Sequence, residues 1–417
     1  MGRFYIKGGN RLDGSITVQG AKNAVLPVLA ATVLNEGKNV IYNCPNLSDV
    51  NNTVDVLCSL GCRVNRRSGI IEVDSSLMNS FTIPEALMRR MRSSIIFLGA
   101  IVARCKKARV SMPGGCEIGL RPIDLHLKAL KALGIEITES HGYINCNADK
   151  LVGADIHLDF PSVGATENIM LAACMAEGTT TIENAAREPE ISDLECFLNK
   201  MGAKISGAGS NLIRIEGRKK LYGVEHTIIP DRIAAGTYLV FAAITKGQLV
   251  LDGADPSHMS AILNTLSDMG CRIYREKSRV AIVCDRCTKA ANTIKTQPYP
   301  GFPTDIQSPF MSLCAVSEGT SIFVENIFEN RFRHVDELIR MGADIRTDGR
   351  CAAVIGVKGL TGAHVVAQEL RGGAALVAAA LSADGESVVD NIHFIDRGYE
   401  NIEKNLARCG ADILRKE

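Results

Sequence analysis

One of the fourteen cysteines in this chain sits where a thiol could react. The run Pro113-Gly114-Gly115-Cys116 continues through Glu117, Ile118, Gly119 and Leu120 into Arg121-Pro122-Ile123-Asp124-Leu125-His126. Three glycines around one cysteine let the backbone approach a ligand closely, and Pro122 suits the first turn of a following helix. The helix N-terminus and Arg121 would both attract an anion and both acidify the Cys116 thiol. A turn with an incidental, inert thiol is the competing reading. A carboxylate in a comparable setting is Asp305, in Phe302-Pro303-Thr304-Asp305. It reads either as a general base or as a helix N-cap.

Cations recur where apolar stretches begin. Lys22-Asn23 opens the first, and Arg92, Arg232 and Arg371 stand at the start of later ones. A cation at a helix N-terminus opposes the macrodipole, so its repetition points to an anion held there; a solvated helix end is the alternative. Two further segments, Glu329-Asn330-Arg331-Phe332-Arg333-His334 and Asp396-Arg397-Gly398-Tyr399-Glu400, lead into amphipathic helices. Their arginines suit carboxylate or phosphate, because the guanidinium fork matches both.

The elements that carry these residues repeat. Six times an amphipathic helix ends at a glycine and runs into a strand: Leu60-Gly61-Cys62, Leu133-Gly134-Ile135, Met201-Gly202-Ala203, Met269-Gly270-Cys271, Met341-Gly342-Ala343 and Cys409-Gly410-Ala411. Successive glycines are 73, 68, 68, 72 and 68 residues apart. An even period means one supersecondary unit used six times. Each unit also holds a stretch apolar on every side, hence a helix buried all round. These run Asn23 to Leu34, Ile95 to Val102, Ile169 to Ala176, Ala234 to Ile244, Pro309 to Val316 and Ala374 to Leu381. Most end near Gly37, Gly178, Gly247, Gly319 or Gly385, which predicts left-handed caps. The expectation is α/β units with apolar helices inside and sheets and amphipathic helices outside. Six units divide into two domains of three, with a boundary near Pro230-Asp231 and the N-terminal strand region, Phe4 to Val18, able to close a sheet of the second domain.

Composition narrows the function. A net charge of +1 over 417 residues gives no bulk attraction to nucleic acid or membrane. The longest apolar runs are far short of a bilayer span, and Met1 to Ile6 has no signal-peptide core. Irregularly spaced cysteines in a long chain suit a reducing cytosol better than a disulfide framework. Cys284-Asp285-Arg286-Cys287 lacks the second pair that structural zinc needs.

Taken together, these segments resemble the enolpyruvyl transferase family, specifically its members that act on UDP-N-acetylglucosamine. The resemblance covers the whole chain. It rests on Gly20-Ala21-Lys22-Asn23, the Pro113 to His126 loop, Ser162-Val163-Gly164-Ala165-Thr166, and Glu183 through Glu190. It continues with Pro230-Asp231-Arg232, Phe302 to Asp305, Phe328 to Phe332, and Asp396 to Glu400. It implies a two-lobed inside-out α/β barrel, six units of about 70 residues, three per lobe. The lobes it implies are 22–229, carrying the cysteine loop, and 1–21 with 230–417, carrying Asp305 and Arg397.

The implied reaction moves the enolpyruvyl group of phosphoenolpyruvate to the 3-hydroxyl of UDP-N-acetylglucosamine and releases phosphate. No metal or organic cofactor, nucleic acid, membrane or obligate protein partner is implied. The resemblance assigns catalysis to Cys116 and Asp305. It assigns phosphoenolpyruvate to Lys22, Asn23, Arg121, Arg331, Arg371 and Arg397. It places the sugar nucleotide on Asn23, Arg92, Arg121, Pro122, Ile123, Asp124, Leu125, Ser162, Val163, Gly164, Asp305 and Ile327. Three positions depart from the family pattern: Phe160 where some members carry lysine, Glu369 in place of aspartate, and Ser48 where a basic residue is common. Two other readings stand beside this one. The acceptor could be another alcohol such as shikimate 3-phosphate, although enzymes of that kind lack the Gly-Gly-Cys loop. The chain could also be a non-catalytic repeat protein that binds a sugar nucleotide.

Overall fold

The computed structural model describes residues 2–112 and 123–417, so Cys116, Arg121 and Pro122 lie outside the described residues. The described chain separates into two compact units, residues 2–19 with 230–417 and residues 20–112 with 123–229. Each has its own apolar core.

Six four-stranded sheets are formed among the described residues. In the unit beginning at residue 20, one sheet runs Glu225–Thr227, Lys38–Tyr42, Ile70–Asp74, Arg63–Arg67. The first pair is parallel and the other two are antiparallel. The same order recurs in the sheets of Thr82–Ile83 with Lys107–Ser111 and of Asp155–His157 with Thr179–Glu183. The other unit borrows both N-terminal strands. Arg3–Lys7 lies between Glu386–Asp390 and Asp412–Lys416, and Asp13–Thr17 pairs parallel with Gln248–Asp252. Val and Ile alternate with polar residues along most strands, as half-buried sheets require.

Three helices fill the centre of each unit. Arg232–Ile244 is buried along its whole length, and Leu370–Ser382 from Leu370 to Leu381. Both pack on Thr304–Ala315. In the other unit Lys22–Ala31, Phe97–Cys105 and Val163–Ala173 play that part. Sheets and amphipathic helices cover this inner trio, so each unit is an inside-out α/β barrel. Small side chains on these helices permit close approach: a Cβ on Gly99 would stand 2.3 Å from the Asn168 carbonyl.

The six periodic glycines all take left-handed backbone, with φ from +85° to +100°. Their helices end in the expected manner; Gly61 N–H donates to the Cys58 carbonyl and Cys62 N–H to that of Leu57, both at 3.0 Å. Two cap expectations for the buried helices need correction. Gly37 and Gly247 are not left-handed; Lys246 takes that conformation instead, at φ +53°. Gly247 serves close packing, because a Cβ there would lie 2.2 Å from the Leu12 carbonyl oxygen. The apolar runs also understate the helices. Five of the six begin earlier than their runs, and the Ile95 run is entered through a 3-10 turn, Arg92–Ile96. Apolar periodicity misses these first turns because polar residues such as Arg232, Gln307 and Arg371 occupy them, although they too are buried.

Candidate functional site

That extra turn holds the predicted site residues. Lys22 and Asn23 occupy the first turn of Lys22–Ala31, Val163 and Gly164 that of Val163–Ala173, Asp305 that of Thr304–Ala315, and Arg371 that of Leu370–Ser382. Asp305 is not the N-cap considered from sequence, since Pro303 holds that position. Proline recurs four residues beyond a site residue in two helices, Pro27 after Asn23 and Pro309 after Asp305. A proline has no N–H to return to the carbonyl four residues back, so the Asn23 and Asp305 carbonyls are excused from that helical bond.

Asp305 is gripped by two buried cations. Arg331 Nη2 lies 3.0 Å from one carboxylate oxygen and Arg371 Nη2 3.0 Å from the other. Both guanidiniums are about 2–3% exposed, against 27% for the carboxylate. Burial disfavours the charge of Arg371, but the Tyr399 phenol and the carboxylates of Asp305 and Asp231 outweigh it and hold its pKa above the usual arginine value. Burial raises the Tyr399 pKa, and Arg371 opposes this. Tyr399 Oη also meets Thr237 Oγ1 at 3.0 Å. Arg331 Nη1 stands 3.8 Å from Glu369, while Arg331 Nε and Arg371 Nε are buried with no partner among the described residues. Buried donors left open beside a half-exposed carboxylate fit an anion arriving from solvent.

Sequence reasoning missed several supports of this cluster. Glu325, 1% exposed, accepts from Thr304 Oγ1 at 2.9 Å with one oxygen. Its other oxygen accepts from the N–H groups of Ile327 at 2.8 Å and Phe328 at 3.0 Å. It thereby ties the helix start bearing Asp305 to the turn bearing Ile327. Gln19 holds the turn after Arg397, donating to the Gly398 carbonyl at 3.1 Å and accepting from Glu400 N–H at 2.8 Å. Gly398 lets that turn close on Arg371, whose Nη1 would be 3.3 Å from a Cβ placed there. Glu369 accepts from the backbone N–H groups of Arg371 and Gly372, so the longer side chain at this departure still caps its helix. His334 packs beside it, 3% exposed, its pKa pushed down to about 4 by burial and by Arg331 against the pull of Glu369. Glu369, His334 and Gly398 lie in segments that the sequence singled out, without these contacts, while Glu325 had only its place two residues before Ile327 as a cue.

A second group forms in the other unit. Lys22 pairs with buried Asp49 at 2.8 Å. His126 is 7% exposed and meets Asn168 at 2.7 Å; its pKa is about 4, lowered by burial and by Arg92 and partly restored by Asp124. A Cβ on Gly164 would lie 3.1 Å from that ring, and Ser162 caps the helix through Ala165 N–H at 3.3 Å. Arg92, Asp124 and Gly164 are thus gathered around one neutral imidazole, with Ile123 and Leu125 flanking Asp124 on the same helix start. Phe160 is a surface residue, 43% exposed. No group of three or more His, Cys, Asp or Glu side chains suited to a metal occurs among the described residues, and no described helix is long and apolar enough to cross a membrane.

The sequence model for EPSP synthase (3-phosphoshikimate 1-carboxyvinyltransferase) matches residues 6–406. UDP-N-acetylglucosamine 1-carboxyvinyltransferase 2 of Caldanaerobacter subterraneus subsp. tengcongensis is 55% identical, with all of each chain covered. UDP-N-acetylglucosamine 1-carboxyvinyltransferase of Halothermothrix orenii is 50% identical, again over all of each chain. Among solved structures, the enolpyruvyl transferase NikO from Streptomyces tendae superposes with a TM-score of 0.90 at 25% identity, covering 100% of this chain and 99% of that one. EPSP synthase from Acinetobacter baumannii shares the fold, with a TM-score of 0.75 at 18% identity and all of each chain covered.

Proposed function

The chain belongs to the EPSP synthase family of enolpyruvyl transferases, and on that premise we propose that it transfers the enolpyruvyl group of phosphoenolpyruvate to the 3-hydroxyl of UDP-N-acetylglucosamine. The observation that carries this acceptor is the 55% identity over full length to a relative named for it. The family name alone would equally suit shikimate 3-phosphate. In this reading the reaction is the first committed step of peptidoglycan precursor synthesis and takes place in the cytoplasm.

The chemistry asks for a proton at C3 of phosphoenolpyruvate as the sugar hydroxyl attacks C2, and for a group that takes the hydroxyl proton. Cys116, outside the described residues, is assigned the first task and Asp305 the second. Loss of a C3 proton and of phosphate from the addition product then restores the vinyl group. Arg331 and Arg371 hold Asp305 in a fixed orientation; Lys22, Asn23, Arg121, Arg331, Arg371 and Arg397 are each assigned to phosphoenolpyruvate. Arg92, Arg121 to Leu125, Ser162 to Gly164, Asn23 and Ile327 are assigned to the sugar nucleotide. Phosphate release, measured with each acceptor in turn, tests the proposal: turnover with shikimate 3-phosphate and none with UDP-N-acetylglucosamine would overturn it.

Substitutions at two positions probe the assignments. Cys116→Ala loses turnover and Cys116→Asp keeps part of it, because aspartic acid still delivers a proton. An anionic epoxide such as fosfomycin alkylates one thiol, that of Cys116, read as a single adduct by mass spectrometry. Adducts spread over several cysteines, or full activity in Cys116→Ala, refute that role. Glu325→Leu strands the N–H groups of Ile327 and Phe328 and the Thr304 hydroxyl, at about 1–3 kcal/mol for each unsatisfied group. The expected result is a KM for the sugar nucleotide raised about tenfold or more, the equivalent of about 1.4 kcal/mol. Glu325→Gln, which keeps an acceptor for the two N–H groups, restores most of it. An unchanged KM in Glu325→Leu removes Glu325 from the positioning role.

A further inference from the structure

The C-x-x-C motif at Cys284 and Cys287 finds its partner elsewhere. Strands Arg272–Glu276 and Arg279–Val283 form an antiparallel hairpin in which Arg272 faces Val283. One step beyond that register, Cys271 faces Cys284. Their backbones are fixed there, with Cys271 N–H on the Leu266 carbonyl at 3.0 Å and Cys284 N–H on the Gly247 carbonyl at 2.9 Å. The Cys284 thiol donates to the Arg286 carbonyl at 3.4 Å, with the Cys271 thiol beside it. The Cys287 thiol points away and donates to the Val316 carbonyl at 3.1 Å. Opposed residues of an antiparallel pair have Cα atoms about 4.5–5.5 Å apart, inside the span a disulfide bridges.

We propose that Cys271 and Cys284 form a redox modification site, a dithiol that hydrogen peroxide converts to a disulfide. The Cys284 sulfur attacks one peroxide oxygen, the O–O bond breaks, and sulfenic acid and water result. The Cys271 sulfur then displaces the sulfenic oxygen as a second water. Two thiols and one peroxide become one disulfide and two waters, the thiol hydrogens leaving in the water. Cys284 is the better nucleophile: the neighbouring Cys271 thiol, then the Arg286 backbone and Lys246, lower its pKa against burial. Burial raises the pKa of most of the other buried cysteines. The pair is 5% and 2% exposed, but Arg272–Glu276 is the edge strand of its sheet, so local opening of an edge admits a small oxidant.

The sequence makes the test clean. Trypsin cleavage after Arg272, Arg279 and Arg286 places Cys271, Cys284 and Cys287 on three different peptides. The full-length chain is treated with hydrogen peroxide, its remaining thiols are blocked and it is digested without reductant. The expected product is the Cys271 peptide joined to the Cys284 peptide, two hydrogens lighter than their sum. It is lost on reduction and in Cys271→Ser, and retained in Cys287→Ser. A Cys284–Cys287 link in its place overturns the proposal. So does recovery of both thiols unoxidised under conditions that oxidise exposed Cys58, Cys196 and Cys351.

Discussion

Asp305→Asn lowers kcat by about 10²–10⁴-fold, the range expected when a general base is removed. The same change also weakens the fold. Asparagine keeps one acceptor oxygen for the two guanidiniums and turns an NH₂ toward the other. One of Arg331 and Arg371, both about 2–3% exposed, then loses its carboxylate acceptor at a cost of about 1–3 kcal/mol, Arg331 keeping the Thr304 carbonyl at 3.2 Å. A lower thermal midpoint should therefore accompany the loss of turnover, and addition of phosphoenolpyruvate, supplying an anion to the stranded arginine, should recover part of it. Near-normal kcat with a lowered midpoint would reduce Asp305 to an anchor for the arginines and end its part in proton transfer.

Acid should loosen both units through two histidines. His126 and His334, one in each unit, have folded pKa values of about 4 against 6.5 for an unburied imidazole. Between those values the unfolded chain binds a proton that the folded chain refuses, so stability falls as pH drops from 6.5 toward 4. The difference corresponds to ~3 kcal/mol per histidine at the acid end and vanishes above pH 6.5. Thermal midpoints measured across this range should fall less steeply for His334→Gln than for the parent chain. Parallel curves would show that His334 does not set the acid response.

The residue pattern alone determined the repeat. Helical periodicity and glycine at a fixed phase are local properties, and left-handed backbone at Gly61, Gly134, Gly202, Gly270, Gly342 and Gly410 needs no distant partner. The buried helices were legible for the same reason, as stretches with no polar face. Their full extent was not, because polar residues in the first turns, such as Asp305 and Gln307, carry no apolar signal. Contacts across the fold were decided by the tertiary structure. Nothing local links Asp305 to Arg331, 26 residues on, or to Arg371, 66 residues on; the packing of two inner helices and one turn creates the cluster. Glu325 and His334 look like ordinary polar residues until burial makes one a clamp and holds the other neutral. The cysteines make the same point. Sequence spacing gave Cys284 and Cys287 only as a C-x-x-C without the second pair that zinc needs, whereas strand register sets Cys284 against Cys271, because pairing across a sheet depends on register that sequence distance does not encode.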